Sequence, residues 1–218
     1  MITTRFTELV GCTFPIQQAG MGAVSPPELA AAVSEAGGLG MLGTAHPGLT
    51  PASLANRLHR LCALTDKPFS VNFLVAPQVL KYLDLRCIEI AARVARVVEF
   101  FYAEPDRALV DMGHDGGALV SWQVGSKSEA IAAADAGSDI VVVQGIEAGG
   151  HVRGTVGTLA LLGEVIGSVD VPVLAAGGIS TGRARWRRRL PRGQTAYAWG
   201  RDFWRQQRRR RTLSTWPR

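Results

Sequence analysis

Residues 139–151 read DIVVVQGIEAGGH, and residues 171–181 read VPVLAAGGIST. Each holds a short, near-continuous apolar run that ends in glycine, and continuous apolarity marks a strand of a parallel sheet covered on both faces. Working outward, the same pattern recurs in PIQQAGM (15–21), GLGMLG (38–43), FSVNFLV (69–75), VVEFF (97–101) and ALVSWQV (118–124). Between these runs lie PPELAAAVSEAG, PASLANRLHRLCALT, CIEIAARVA, PDRALVDMGHDGG, SKSEAIAAADAG and TLALLGEVIG. Several of them open on Ser, Thr or Pro and close on Gly, the start and stop signals of helices. Seven alternating units predict an α/β fold, a (β/α)8 barrel, with a doubly wound open sheet as the alternative. Closure needs eight strands, so one unit is missing from the repeat.

The composition explains where the repeat stops. The chain has 218 residues, 47% of them hydrophobic, and a formal charge of +6, which by itself would suggest a nucleic-acid binder. Residues 185–218, however, hold twelve of the 24 Lys and Arg, one of the 18 acids and four of the five Trp. Residues 1–184 therefore carry twelve basic against seventeen acidic groups, a net of −5, and a basic-protein reading is excluded for the body. The division expected is a barrel body over 1–184 and an Arg/Trp-rich tail over 185–218. The tail is too poor in apolar periodicity to order itself alone and is expected to be disordered. It also reads as a shifted frame. With GC-rich codons, Arg185–Phe203 read one phase over gives Met-Ala-Ala-Ala-Leu-Ala-Ala-Gly-Ala-Asp-Gly-Val-Arg-Met-Gly-Thr-Arg-Phe, a helix followed by a glycine turn and an apolar strand. Those are the missing element types in the missing order.

The cysteines Cys12, Cys62 and Cys87 lie far apart with no C-x-x-C pair, which fits a reducing cytoplasm. No apolar run approaches the roughly 18 residues of a membrane span, and the N-terminus lacks the apolar core of a signal peptide. A cytoplasmic protein without membrane contact is expected.

In a barrel the chemistry belongs at the C-terminal ends of the strands, where three features fall. Gly177-Gly178 follow an apolar strand and pass through Ser180 or Thr181 into a helix start; glycines let backbone N–H groups approach an anion, although a tight βα turn would use them equally. Gln144 opens the segment QGIEAGGH, whose Gly149 and Gly150 could bring backbone against a flat ligand. Its His151 could serve as general acid or base near neutral pH, or only cap a loop. Asn72 places an amide in an apolar strand, where it needs a partner from ligand or backbone. The turn Ala19-Gly20-Met21, after the first strand, is grouped with it as the same strand-end feature. His46, His59 and His114 look like loop or helix-surface residues, and no spacing among the four histidines suggests a metal site. The GGLG at 37–40 precedes a strand rather than following one, so it is no dinucleotide fingerprint.

Together PIQQAGMGAVSPPELAAAVSEAGGLGMLG, the VNFLV strand, QGIEAGGHVRG and VPVLAAGGI resemble the nitronate monooxygenase family, formerly the 2-nitropropane dioxygenases, from about residue 8 to 184. The out-of-phase Gly-Ala-Asp-Gly-Val-Arg-Met-Gly-Thr-Arg-Phe resembles that family's next motif. The resemblance implies a TIM barrel that binds FMN without covalent attachment. It assigns flavin contact to Asn72, Gln144 and Gly149 and the phosphate loop to Gly177 and Gly178. It matches His151 to the family's proposed base. The first-strand turn is Ala-Pro-Met in the family and Ala19-Gly20-Met21 here, so Met21 is carried over from a departing motif. The Gly-Thr arm that would complete the phosphate clamp is absent from the translated chain.

The activity so implied is oxidation of alkyl nitronates or nitroalkanes with dioxygen, giving a carbonyl compound and nitrite. An FMN-dependent enoyl-acyl-carrier-protein reductase is the nearest competitor, since it carries an EAGGH-like loop on the same barrel. Two further readings come from the tail: a basic arm contacting nucleic-acid phosphates and stacking on bases, and an inactive fragment open at the barrel seam. The out-of-frame reading accounts for the same composition without a nucleic-acid partner.

Overall fold

A computed structural model describes residues 3–46 and 48–179 and the backbone of 195–199. All seven expected strands form: β1 Ile16–Gln18, β2 Gly40–Gly43, β3 Phe69–Leu74, β4 Val97–Phe101, β5 Leu119–Val124, β6 Ile140–Gln144 and β7 Val173–Ala176. An eighth, β8 Thr195–Trp199, pairs in parallel with both β7 and β1. The order is β1-β8-β7-β6-β5-β4-β3-β2, every pairing parallel. The two ends meet where Leu39 N–H donates to Ile16 O at 2.8 Å and Gln18 N–H to Leu39 O at 2.9 Å, with Gln17 bridged to Leu39. This closes a (β/α)8 barrel, and the open-sheet alternative falls. Five residues of the stretch expected as a disordered tail thus stand in the eighth strand position, the interval where the out-of-phase reading also puts its strand. The boundary at Ala184 and the rest of 185–218 lie outside the described residues, as do Ser180 and Thr181.

Alternation along the strands separates two cores. Phe73, Val98, Phe100, Val120, Trp122, Val141, Val143 and Val173 point outward and pack on the surrounding helices α2 Pro27–Glu35, α3 Pro51–Cys62, α5 Arg86–Ala92, α6 Arg107–Asp115, α7 Lys127–Asp135 and α8 Thr158–Val165. Leu39, Val97, Ile140, Val142, Leu174 and Ala176 pack inside the barrel. Helix α1 Arg5–Val10, which no sequence signal announced, plugs the floor by inserting Phe6 and Val10 among them. It starts on a reciprocal cap in which Thr4 and Thr7 exchange side-chain and backbone hydrogen bonds. With apolar residues and α1 filling the floor, polar side chains are left for the layer above it.

Close approach sets the glycines that matter for shape. A Cβ on Gly40 would lie 1.9 Å from Ala30 O, so α2 can rest on β2 only with glycine there. Glycine at 125 likewise lets the β5 end meet Gly154, whose N would lie 2.5 Å from an added Cβ.

Candidate active site

The layer above the apolar floor is polar and buried. Gln17 from β1, Asn72 from β3, Glu99 from β4 and Ser121 from β5 converge inside the barrel. Register explains it: Asn72 is level with Glu99, and Glu99 with Ser121. Glu99 accepts from Gln17 Nε2 at 2.6 Å, from Asn72 Nδ2 at 3.1 Å and from Ser121 Oγ at 3.3 Å. It is 1% exposed and the one buried carboxyl among the described residues. Burial pushes its pKa up to about 7, against the three donors that favour the charged form. Sequence reasoning passed over Glu99, although an acid inside the apolar run VVEFF was the available signal.

Asn72 sits at the upper edge of this layer. Its Nδ2 is held by Glu99, while its Oδ1 takes no hydrogen bond from any described residue. The side chain lies flat on Gly20, where an added Cβ would be 2.4 Å from Asn72 Cγ and 2.5 Å from Oδ1. In this chain glycine at 20, where the family's turn carries proline, leaves the space that the Asn72 amide occupies. Met21 follows, half-buried, at the start of the short 3-10 turn Gly22–Val24.

The segment after β6 forms the opposite wall. Gln144, 4% exposed at the strand end, donates from Nε2 to His151 O at 2.9 Å and accepts from Arg153 N–H at 3.4 Å. Its carboxamide thus folds the loop back on the strand and sets where His151 stands. Arg153 anchors the far side, with Nε 2.8 Å from Glu129 Oε1 and Nη2 on Glu104, and Glu129 also accepts from Gly125 N–H at 2.8 Å. Gly149 and Gly150 are exposed, with open space where a Cβ would be, and Gly150 has φ +85°.

His151 is exposed, and neither ring nitrogen takes a hydrogen bond from a described residue. Its ring stands edge-on to Tyr102, with centroids 5.6 Å apart and planes at 72°. Tyr102 directly follows β4 and is the only non-glycine with positive φ among the described residues, at 75°. A bulky side chain held there costs of order 1–3 kcal/mol and is retained where surrounding structure over-determines it. Tyr102 was not singled out from sequence, and backbone strain leaves no compositional trace.

Gly177 and Gly178 follow β7 with φ +105° and +67°. An added Cβ at Gly177 would come within 2.9 Å of Ala148 N, and one at Gly178 within 3.2 Å of Glu147 Cβ, so this turn packs under the EAGGH loop. Glu147 accepts from Thr158 N at 2.8 Å and Thr158 Oγ1 at 2.9 Å, capping α8. Those hydrogen bonds, the backbone one first, hold its carboxyl below the ordinary carboxylate range. The N-terminus of α8 is thus taken by this chain's own carboxylate.

The structure therefore brings Asn72, Gln144, His151 and the glycines 149, 177 and 178 to one mouth, at the C-terminal ends of β3, β6 and β7. A cavity of about 250 Å³ opens alongside at the ends of β2 and β3, lined by Thr44, Leu49, Phe73, Leu74, Tyr82 and Leu83 among others.

The sequence matches the family model "Nitronate monooxygenase" over residues 3–185. The chain belongs to the nitronate monooxygenase family. Members of this family are flavin oxidoreductases. A nitronate monooxygenase of Pseudomonas aeruginosa is 35% identical over 246 residues, covering 93% of this chain and 69% of that protein. A Rhodococcus jostii protein named (3aS,4S,5R,7aS)-5-hydroxy-7a-methyl-1-oxo-octahydro-1H-indene-4-carboxyl-CoA dehydrogenase is 40% identical over 183 residues, covering 84% of this chain and 50% of its own length. The solved structure of FabK from Thermotoga maritima superposes with a TM-score of 0.76 at 37% identity, over 84% of this chain and 57% of that one. The chain spans about half the length of the first curated relatives it matches. No helix among the described residues is long and apolar enough to cross a membrane.

Proposed function

We propose that this chain is a flavin oxidoreductase that holds FMN across the barrel mouth and oxidises alkyl nitronates with dioxygen to a carbonyl compound and nitrite. The observation that carries the proposal is the convergence on one mouth of His151, the two glycine turns and an Asn72 acceptor to which no described residue donates. The residues present fit a flat, phosphate-bearing ligand. Asn72 Oδ1 offers an acceptor beside Gly20, the open Gly149-Gly150 backbone admits a ring, and the left-handed Gly177-Gly178 turn leaves no side chain before an anion. Gln144 serves the ligand by fixing the loop that carries Gly149 and His151. Once bound, the flavin supplies the transfer of electrons from substrate to dioxygen. His151, whose ring nitrogens bond to no described residue, removes the α-proton of a neutral nitroalkane, and Tyr102 keeps the imidazole edge-on at the mouth.

The first test is the visible absorption spectrum of the chain titrated with FMN, followed by nitrite release from nitroethane and its nitronate. His151→Asn should keep flavin affinity and lose most turnover on neutral nitroalkane; unchanged turnover removes His151 from the chemistry. The cavity at the ends of β2 and β3, lined largely by apolar side chains such as Leu49, Phe73, Leu74 and Leu83, favours a second reading, a flavin dehydrogenase or reductase of a larger acyl thioester, a substrate class named for the Rhodococcus relative. Bleaching of bound flavin by NADH or NADPH rather than by nitronate would select it.

A further inference from the structure

We infer that Glu99 is a positioning residue that holds the Asn72 carboxamide with its acceptor toward the ligand; the ligand's identity as FMN rests on the function proposed above. Oxygen and nitrogen of an amide have the same shape, so only a neighbour's hydrogen-bonding demand decides which end faces outward. Glu99 makes that demand. Its Oε1 accepts from Asn72 Nδ2 at 3.1 Å, which turns Asn72 Oδ1 onto Gly20, where no described residue donates to it. The opposite orientation would set Asn72 Oδ1 against a carboxylate oxygen and present a donor at the mouth instead.

The remaining members of the layer let the orientation survive a change in the charge of Glu99. Its Oε2 takes Gln17 Nε2 and Ser121 Oγ, and Gln17 Oε1 is buried with no partner among the described residues. A proton on Oε2 can be donated to the Ser121 hydroxyl, or to Gln17 once that amide turns its idle oxygen inward. In either case Oε1 stays an acceptor for Asn72. Among the described residues the groups facing Glu99 are Gln17 on β1, Asn72 on β3 and Ser121 on β5, and none of them is charged. A glutamine at 99 is accommodated in the same way, its amide nitrogen meeting a turned Gln17. A leucine is not, because it gives Asn72 Nδ2 nothing to bind.

The experiment compares wild type, Glu99→Gln, Glu99→Leu and the pair Asn72→Ala and Asn72→Ala/Glu99→Leu. Thermal melts establish that each is folded. In unliganded protein, the Asn72 side-chain amide is followed by 15N NMR. Slow exchange with water in wild type and Glu99→Gln, and at least tenfold faster exchange in Glu99→Leu, is the expected result. Equal exchange in wild type and Glu99→Leu overturns the inference. FMN titrations should show affinity within about twofold of wild type for Glu99→Gln and roughly tenfold weaker for Glu99→Leu, the loss of one hydrogen bond. In the Asn72→Ala background Glu99→Leu should change FMN affinity little, because Glu99 acts through Asn72; a full further loss overturns the inference. Failure of wild type to bind FMN with the exchange difference intact would sink the flavin reading and leave the positioning role standing. Should Glu99→Leu not fold, Glu99→Gln with amide exchange as fast as free asparagine overturns it instead.

Discussion

Replacing Gly20 by alanine tests whether the barrel mouth is built around the Asn72 side chain. The added Cβ would sit 2.4 Å from Asn72 Cγ, 2.5 Å from Oδ1 and 2.7 Å from Asn72 Cβ. Ordinary contact begins near 3.4 Å, so about 1 Å of movement is required. Because Asn72 Cβ is itself too close, a rotamer change alone gives no relief, and the turn or β3 has to shift. Overpacking of this kind costs about 1–3 kcal/mol. If Asn72 yields, its 3.1 Å hydrogen bond to Glu99 is lost as well, and a hydrogen bond to a charged group is worth about 1.5–3 kcal/mol. The expected destabilisation of Gly20→Ala is therefore about 1–3 kcal/mol if the backbone shifts and up to about 6 kcal/mol if Asn72 yields, read as a lower urea midpoint at unchanged m, with FMN affinity about tenfold weaker. An Asn72→Ala background removes the contacts with Cγ and Oδ1 and leaves only the 2.7 Å approach to Cβ, so the double-mutant cycle should show a coupling of at least about 1 kcal/mol. A Gly20→Ala protein within about 0.5 kcal/mol of wild type, with no coupling to Asn72, would refute the packing of this turn on Asn72.

Phe6→Ala removes the largest side chain from the barrel floor and should cost about 3–5 kcal/mol in urea unfolding, since Phe6 is buried among Leu39, Ile140 and Leu174. Arg153→Met keeps the apolar stem but breaks the ties to Glu129 and Glu104; amide exchange across 146–152 should accelerate about tenfold or more. Burial raises the Glu99 carboxyl from 4.5 to about 7, so the folded chain binds a proton that the unfolded chain has released. Stability should accordingly fall as pH rises from about 4.5 to 7 and level off above, and Glu99→Gln should abolish that slope in urea midpoints.

Much of the fold was legible because burial on both faces writes itself as continuous apolar runs. VVEFF has the same bounds as β4, and FSVNFLV exceeds β3 by one residue. Short elements escaped. Helix α1 spans six residues, too few for a periodic stripe, and α4 Pro77–Leu80 spans four. Strand β8 was hidden by composition, for TAYAW lies in a stretch otherwise crowded with Arg, and only the gap between β7 and β1 tells it where to pair. Of the site, Gln144, His151 and the glycines were visible as a motif, whereas Glu99 and Tyr102 were not. Glu99 became informative once register set it level with Asn72 and Ser121, and Tyr102 once its backbone was seen in the left-handed region.

The amino-acid order alone determined the alternation of strands and helices, the parallel sheet and the glycine turns, because each follows from local patterns of polarity and backbone freedom. Tertiary structure decided which residues share the mouth and how each is presented. Asn72 and Glu99 are 27 positions apart, Glu99 and Gln17 82 apart, and only the closed barrel turns these side chains to one centre. There the exclusion of water makes every unpaired donor or acceptor costly, so the orientation of an amide, the proton of an acid and the size of the residue at position 20 become linked.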